Sequence, residues 1–345
     1  MLTPEQVQFL RTELETAKNP LFIYDDDADG LCAYLLLYRQ YRRGRGIILK
    51  TSSTITIQMM RKVGELSPDK IIILDVPLVD QEFIDAAHHP IFWIDHHPPV
   101  ERHNIHYFNP RLKDPDAYVP TTRMAYQVAA DPEDLWIATA GSLADWYIPD
   151  FINQFIEKYP HFIATKSDLP TMVFKEPVSK LIKMFFFLLK GSNSEVRKSV
   201  SILTKIKSPE EIFGQHTSSG KFLYKRFESI NQKYEALLKQ AKRQVSRSKL
   251  LLFYYTEEQW SFTSNLANEL AARYQEKIII IARKKNEEIK CSLRAQFPIL
   301  SALEKSLEGL PGAFGGGHPN ACGAVVKERY WPRFLERFKE EVKHA

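Results

Sequence analysis

Cysteine is scarce in this chain, which limits the kinds of protein it can be. Only three of the 345 residues are cysteine, and Cys32, Cys291 and Cys322 form no C-x-x-C pair. An odd number of widely spaced cysteines argues against a disulfide framework. We therefore expect a protein of a reducing compartment, the cytoplasm.

Long apolar runs are also missing. No run approaches the ~20 apolar residues that a membrane-spanning helix needs. The first ten residues, MLTPEQVQFL, lack the basic region and apolar core of a secretory signal. The sequence also has no Walker-A lysine motif, no G-x-G-x-x-G fingerprint and no Ser-His-Asp elbow. We therefore expect no membrane partner. We also expect a site that differs from the nucleotide-binding and serine-hydrolase sites that these motifs mark.

The charge is unevenly distributed along the chain. There are 47 Lys and Arg residues against 42 Asp and Glu, a net charge of +5. The segment 175–249 contains 17 basic and 6 acidic residues, so it carries +11 and the rest of the chain carries −6. A strongly basic segment predicts a polyanionic partner, with a solvated helical surface as the alternative.

Hydrophobic residues make up 44% of the chain and charged residues 26%, as in ordinary globular proteins, and the length predicts two domains. In the first 150 residues, helix-like stretches alternate with short apolar runs. These runs are predicted strands: Leu21–Tyr24, Ile47–Leu49, Ile71–Leu74 and Ile91–Ile94. The alternation predicts an α/β fold with a parallel sheet covered by helices on both faces.

The remaining chain divides into a helical and a second α/β part. Residues 151–248 form a basic region without strand-like runs, and it ends in a long connecting helix predicted at 222–247. Strand-like runs return at 250–255, 277–282 and 289–293. We therefore predict an N-terminal domain at 1–248, with its α/β core at 1–150, and a smaller α/β domain at 249–345. The apolar run Met184–Leu189 is either buried core or a dimer surface.

The run Asp25-Asp26-Asp27-Ala28-Asp29-Gly30 follows the first predicted strand directly. Alternate residues of an extended chain share one side, so Asp25, Asp27 and Asp29 are expected to converge. Neighbouring carboxylates repel one another unless a cation neutralises them, so the cluster predicts a metal site. A calcium loop is the weaker alternative, because its twelfth position, a glutamate in such loops, is Leu36 here.

Further acidic and imidazole residues end the following runs. Asp75, the triplet Asp95-His96-His97 and Asp145 each come at the end of an apolar or small-residue stretch. Taken singly, Asp75 could be a helix cap and the histidines a surface turn. As a set, carboxylates with one or two imidazoles suit two divalent cations, Mn²⁺ preferred and Mg²⁺ as the second choice, better than zinc. Two such ions polarise a phosphoryl group and activate water.

Four motifs in this order resemble those of the DHH phosphoesterases: DDDADG at 25–30, ILDV at 73–76, DHH at 95–97 and GSLAD at 141–145. The first is most similar to the RecJ-like nuclease branch. The resemblance implies that His97 lies close to the scissile phosphate and that Asp95 is also catalytic. The metal ligands that it implies are Asp25, Asp27, Asp29, Asp75, His96 and Asp145.

A glycine-rich segment carries the second resemblance. Six of the 14 glycines fall within 309–323, where GGGHPNACG is similar to the GGGHxxAxG motif of the DHH-associated C-terminal domain. SNLANEL at 264–270 and CSLRA at 291–295 are similar to the same domain. A glycine-rich hairpin is the structural alternative. The resemblance implies that a substrate phosphate is bound by Arg294, Gly315, Gly316, Gly317, His318 and Asn265.

The resemblance implies a function as well as a fold. It indicates a metal-dependent phosphodiesterase, a RecJ-like exonuclease that releases nucleotides from single-stranded DNA or RNA ends by two-metal hydrolysis. One alternative is a nanoRNase or cyclic-dinucleotide phosphodiesterase acting on short oligonucleotides. Another is a non-catalytic, replication-associated module that binds nucleic acid. Replication or repair proteins and a second copy of the chain are further candidate partners.

Overall fold

The computed structural model describes residues 1–50, 54–256 and 259–344. The chain forms two compact units, Met1–Phe227 and Glu228–Ala345. The division falls within a long helix, α12 (Ser218–Arg243). In the part of the chain that the structure describes, no helix combines the length and the apolar composition that crossing a membrane requires.

The first unit is built around a parallel sheet. Its strands are β1 (Leu21–Asp25), β2 (Arg45–Leu49), β3 (Thr54–Ile55), β4 (Ile71–Leu74), β5 (Leu78–Val79), β6 (Ile91–Ile94) and β7 (His106–Phe108). The main sheet has the order β2-β1-β4-β6-β7, while β3 and β5 form a small parallel pair. Central strands buried on both faces must be apolar throughout, which is why the sequence reveals β1, β4 and β6.

Helices cover both faces of this sheet. They are α1 (Pro4–Thr16), α2 (Ala28–Tyr41), α3 (Met60–Leu66), α4 (Gln81–Ala86), α5 (Thr121–Ala129), α6 (Leu135–Ala144), α7 (Ile152–Lys158), α8 (Leu169–Phe174), α9 (Val178–Leu188), α10 (Asn193–Leu203) and α11 (Pro209–Phe213). Short 3-10 turns lie at Ile57–Met59, Pro110–Leu112 and Pro132–Asp134. Ile23 and Ile73 pack with Val63 of α3 on one face. Tyr24, on the opposite face, stacks on Tyr34 of α2 with ring centroids 4.5 Å apart.

The second unit contains a mixed sheet. Its strands are β8 (Leu250–Tyr255), β9 (Ile278–Lys285), β10 (Glu288–Arg294), β11 (Phe314–His318) and β12 (Ala321–Lys327), in the order β11-β12-β10-β9-β8. Only the β8–β9 pair of this sheet is parallel among the described residues. The helices are α13 (Thr263–Arg273), α14 (Leu300–Leu307) and α15 (Trp331–Glu341), with 3-10 turns at Glu328–Tyr330 and Val342–His344. The predicted α/β class is confirmed for both units.

Some local features differ from the sequence prediction, and one alternative that the sequence left open is decided. Strand β7 was not predicted, because three residues are too few to show a period. The long helix begins at Ser218 rather than near 222, because the Thr217 hydroxyl accepts a hydrogen bond from the Gly220 N–H at 3.0 Å and caps the helix. The Met184–Leu189 run is mostly buried within the first unit, where Phe185 packs against Trp136, so buried core is the predicted alternative that holds for it.

Candidate functional site

Three predicted site residues lie at one edge of the parallel sheet. Asp25 ends β1, Asp75 directly follows β4 and Asp95 directly follows β6. In the register of the sheet, Tyr24 lies beside Leu74, and Leu74 lies beside Ile94, so all three strands end level with one another. Because the strands are parallel, their carboxyl ends meet at the edge where α/β sheets bind ligands.

The start of α2 contributes two more carboxylates. The Asp27 side chain caps the helix by accepting a hydrogen bond from the Gly30 N–H at 2.9 Å. The buried Asp29 carboxylate accepts hydrogen bonds from the Thr121 and Thr122 N–H groups, at 2.9 and 2.7 Å, where α5 begins. Helix N-termini stabilise negative charge, so both carboxylates are held in place.

Gly30, the last residue of the DDDADG motif, has a steric role. A Cβ atom at this position would lie 2.8 Å from the backbone nitrogen of Asp25. Glycine therefore allows α2 to start directly against the end of β1, which brings Asp27 and Asp29 to the edge of the sheet.

His96 joins carboxylates that are distant in sequence. Its Nε2 lies 3.2 Å from Asp75, 3.6 Å from Asp145 and 3.9 Å from Asp29. Two sets of three side chains have ligand atoms close enough together to hold a metal ion. The first set is Asp75, His96 and His97, and the second is Asp29, His96 and Asp145. The sets share His96, so they are adjacent.

The cluster is electrostatically unfavourable without a cation. Burial, and then the charges of Asp29 and Asp27, raise the pKa of Asp75 well above its ordinary value, and the same causes raise the pKa of Asp145. Burial and the charge of Asp27 raise the pKa of Asp25 to about 7. A raised carboxyl pKa means that the charged form is disfavoured where it stands, and a divalent cation reverses that preference.

The donor set fits divalent cations. Carboxylate oxygens with one or two imidazoles suit Mn²⁺ or Mg²⁺. The buried Nδ1 of His96 has no hydrogen-bond partner in the described structure, so no internal hydrogen bond accounts for this polar atom. Asp25 and Asp27 belong to neither three-residue set, although the charge of Asp27 acts on Asp75 and contributes to its raised pKa.

Asp95 orients His97. Its buried carboxylate lies 2.7 Å from His97 Nδ1 and also accepts a hydrogen bond from the His97 N–H at 3.1 Å. The Tyr107 hydroxyl and the Asn109 amide donate to the same carboxylate at 3.3 and 3.4 Å. Burial works against protonation of His97, but the hydrogen bond and charge of Asp95 outweigh it and raise the pKa of His97.

Several supporting residues were not predicted. Thr121 and Thr122 hold Asp29 as described, and the Thr121 hydroxyl also lies 3.3 Å from Asp75. The Tyr118 hydroxyl donates to the Asp145 carboxylate at 2.9 Å. In the sequence, the two threonines follow Pro120 at the start of a predicted helix. This arrangement is common at helix starts, so it does not indicate that their N–H groups bind Asp29.

In the second unit, Arg294 ends β10 and is held by several hydrogen bonds. Its Nε donates to the Asn268 side chain at 2.6 Å, and its Nη1 donates to the carbonyls of Leu293 and Cys322 at 2.8 and 3.2 Å. Asn268 was not predicted, although it lies one helical turn after Asn265 on α13. Asn265 is half-buried, and its carbonyl accepts a hydrogen bond from Tyr234 at 3.4 Å.

The three glycines of β11 differ in whether the surrounding structure requires glycine. A Cβ atom at Gly315 would lie 2.7 Å from the Gly323 carbonyl oxygen, and Gly317 has a φ of +136°. Gly316 meets nothing within 4 Å, so the fold of this unit does not itself require glycine there. The whole strand, including His318, is exposed. Because backbone N–H groups without side chains allow close approach of an anion, Gly316 is compatible with a phosphate contact.

Comparison with known proteins identifies a domain family in the C-terminal part of the chain. Residues 249–344 match the DHHA1 domain family. No curated protein matches the chain in sequence. The structure is similar to RecJ from Thermus thermophilus in complex with Mn²⁺, with a TM-score of 0.71, 16% identity and coverage of 100% of this chain and 56% of that chain. The chain therefore spans only about half the length of that relative.

Two further structures share the fold. Exonuclease RecJ bound to manganese has a TM-score of 0.65 and 15% identity, with 98% of this chain and 94% of that chain covered. A pGpG-specific phosphodiesterase from Vibrio cholerae has a TM-score of 0.51 and 16% identity, with 95% and 100% covered. The family resemblance predicted from the motifs is thus confirmed for the fold: the chain carries a DHHA1 domain and has the RecJ-like fold of the DHH phosphoesterases.

Proposed function

We propose that this chain is a metal-dependent phosphodiesterase that releases nucleotides from an end of single-stranded DNA or RNA. The observation that carries the proposal is the meeting of His96 with the carboxylates of Asp29, Asp75 and Asp145 within 4 Å. Mutual repulsion among buried carboxylates costs folding stability, so their clustering favours a catalytic role.

Each residue has a distinct part in this function. Asp29, Asp75, His96 and Asp145 would hold divalent cations, which would neutralise phosphate charge and activate water. His97 directs Nδ1 toward Asp95, which leaves Nε2 as the ring nitrogen for a phosphate oxygen. The raised pKa of His97 favours the protonated ring, which donates a charge-assisted hydrogen bond.

The positive charge of segment 175–249 favours a long single strand of nucleic acid as the substrate. Segment 175–249 carries +11, and Lys239 and Arg243 on α12 are exposed. Binding through several phosphates makes affinity depend on salt, with a log–log slope of about −0.7 per phosphate for single strands. Replacing Lys239, Lys242 and Arg243 by Gln should flatten that slope, and an unchanged slope would leave this surface as solvated helix.

A dinucleotide phosphodiesterase is the second candidate. The observation in its favour is the shared fold: 95% of this chain and 100% of the pGpG-specific enzyme are covered, much as the manganese-bound exonuclease RecJ is covered to 94%. Such an enzyme would use the same metal centre and would differ in the length of nucleic acid that it accepts.

Digestion of end-labelled oligonucleotides separates these functions. Dinucleotides, pentanucleotides and longer strands of DNA and RNA, each labelled at the 5′ or the 3′ end, are incubated with Mn²⁺ and sampled over time. We expect stepwise shortening of the longer strands from one end. Turnover of dinucleotides alone would indicate the second candidate, and binding without turnover would contradict both. Chelator and the Asp75→Asn variant are the controls for a contaminating nuclease.

A further inference from the structure

A groove of about 700 Å³ runs along β2, the edge strand of the parallel sheet. β2 pairs with β1 on one side, and no described residue forms a strand on the other side. The residues of β2 form the floor of the groove, and Arg45 and Gly46 are exposed. Exposed edges of this kind are normally blocked or covered, because they can pair with another strand.

Helices form the walls of this groove on both faces of the sheet. On one face, α3 contributes Lys62 and Leu66. On the other face lie Tyr34 and Tyr38 of α2, together with one side of α10. The Arg42 side chain, at the end of α2, donates to the carbonyl of Thr204 at the end of α10 at 3.0 Å, so these helices are held together. The walls therefore leave a slot beside the edge strand.

The backbone of β2 presents hydrogen-bonding groups to this slot. The Arg45 N–H donates to the Pro20 carbonyl at 3.0 Å, toward β1. Successive residues of a strand paired in parallel direct their N–H groups alternately to the two sides. The N–H groups of Gly46 and Ile48 therefore point into the groove, where a further strand at a spacing of ~4.8 Å would meet them.

The lining combines apolar and basic residues. Met59 and Leu66 line one wall, and Val196 and Val200 the other. Three exposed cations also line the groove, and in the described ranges none of them has a carboxylate partner: Arg45, Lys62 and Arg197. The lining acid Glu65 lies 3.7 Å from Arg61. The groove thus complements a ligand with apolar and acidic groups on an extended backbone.

We infer that this groove binds an extended acidic and apolar peptide segment of a partner protein, which adds as a strand beside β2. Strand addition uses main-chain hydrogen bonds for affinity and side-chain contacts for specificity. A polynucleotide would satisfy the cations, but it has neither peptide groups for the strand edge nor apolar side chains for the walls. This binding is a further function, separate from hydrolysis.

The test uses the full chain and a synthetic probe. The probe is a fluorescein-labelled peptide of alternating Glu and Val with blocked ends, and its binding is followed by fluorescence polarisation. Ile48→Pro removes one N–H that faces the groove, and an edge strand tolerates proline at such a position. A second variant reverses the cations: Arg45→Glu, Lys62→Glu and Arg197→Glu together. We expect each variant to weaken binding at least tenfold.

Three controls make the result specific. Lys18→Glu, Lys113→Glu and Lys166→Glu together change the same charge at exposed positions outside the groove and should leave peptide affinity unchanged. A probe methylated on every backbone amide should bind at least tenfold more weakly, because neither of its edges has an N–H to donate and the methyl groups block close approach to β2. Oligonucleotide hydrolysis should be unchanged in the Ile48→Pro variant and in the Lys18, Lys113 and Lys166 control, because neither alters the basic segment 175–249, and this keeps the test independent of the proposed activity.

Several outcomes would overturn the inference. One is a wild-type chain that does not bind the peptide, and another is binding that the methylated probe or the charge reversal leaves unchanged. If the charge reversal instead abolishes binding of labelled oligothymidylate, the groove is a path for nucleic acid. If sedimentation shows a wild-type dimer that Ile48→Pro converts to a monomer, the occupant is a second copy of this chain.

Discussion

The carboxylate and histidine cluster of the first unit and the glycine strand β11 of the second unit differ in burial. Asp29, Asp75 and Asp95 are at most 2% exposed, whereas every residue of β11 is exposed. Charges in the first region are gathered from distant parts of the sequence and held against their mutual repulsion. In the second region, backbone N–H groups on the exposed strand of one hairpin are accessible to a ligand. A substitution in the first should therefore change stability and turnover together, and one in the second should change only binding.

Asp75→Asn should give the largest effect, and it should change stability and turnover in opposite directions. Asp75 has a φ of +61°, and Asn is among the residues that tolerate this conformation, so the backbone is not strained. We expect kcat/KM to fall about a thousandfold, or about 4 kcal/mol, because a ligand to the cations is lost. In chelator, the Tm should rise, because one of the mutually repelling carboxylates is gone.

Asp80→Asn is the matched control for this variant, since Asp80 lies next to α4 and its side chain caps no helix N–H. It should retain wild-type turnover. Steady-state kinetics with Mn²⁺ and thermal melts with and without chelator decide the outcome. Retained turnover in the Asp75 variant, or a lower Tm in chelator, would contradict the assignment of Asp75 to a self-repelling metal centre.

Asp95→Asn should reduce turnover by about 10- to 100-fold, because residues that orient a ligand or its neighbour have effects of this size. The change removes the anionic acceptor 2.7 Å from His97 Nδ1. Tyr107→Phe removes only the 3.3 Å hydrogen bond to the same carboxylate, so its effect should be about fivefold, near 1 kcal/mol. Comparable losses in the two variants would show that Asp95 does not act through His97.

Arg294→Ala should reduce kcat/KM by about 10- to 100-fold, because charge-assisted hydrogen bonds contribute roughly 1.5–3 kcal/mol. Mn²⁺ affinity, measured by calorimetric titration, should stay at the wild-type value. Arg294→Lys should recover little, since an ammonium cannot keep the guanidinium's hydrogen bonds to Asn268, Leu293 and Cys322 and also reach a phosphate. Asn268→Ala, which removes the partner of Arg294 Nε, should have a smaller effect in the same direction. Lost Mn²⁺ binding in the Arg294 variants would contradict a role in phosphate binding.

Gly316→Ala should give the smallest change in oligonucleotide affinity, and it alters only the glycine strand of the second unit. No atom lies within 4 Å of a Cβ at this position, so the variant should fold normally. Oligonucleotide affinity should fall a few-fold if a phosphate lies against this backbone. Gly64→Ala in α3 is the matched control, because its Cβ also meets nothing within 4 Å. It should leave affinity unchanged and stabilise the helix by about 0.5–1 kcal/mol. Equal affinities for both variants and the wild type would remove Gly316 from the phosphate site.

Some elements could be predicted because burial imposes a visible pattern. The interiors of β1, β4 and β6 are entirely buried, so their sequences are apolar and the acidic residues that follow mark where each strand ends. Strand β11 has no such pattern. It is an exposed run of glycines on a sheet edge, and only its pairing with β12 makes it a strand. Asn268 was missed for a similar reason, since its contact with Arg294 depends on how α13 packs on the sheet.

The sequence by itself determined the α/β class, the strands that end in Asp25, Asp75 and Asp95, and the types of residue available for metal. These follow from local composition, because apolar strands and helix starts are specified within a few residues. Only the tertiary structure decided that His96 meets the carboxylates of Asp29, Asp75 and Asp145, and that helices leave a groove beside β2. Such contacts depend on strand order and helix packing, which are set by the simultaneous burial of the whole core rather than by any one segment.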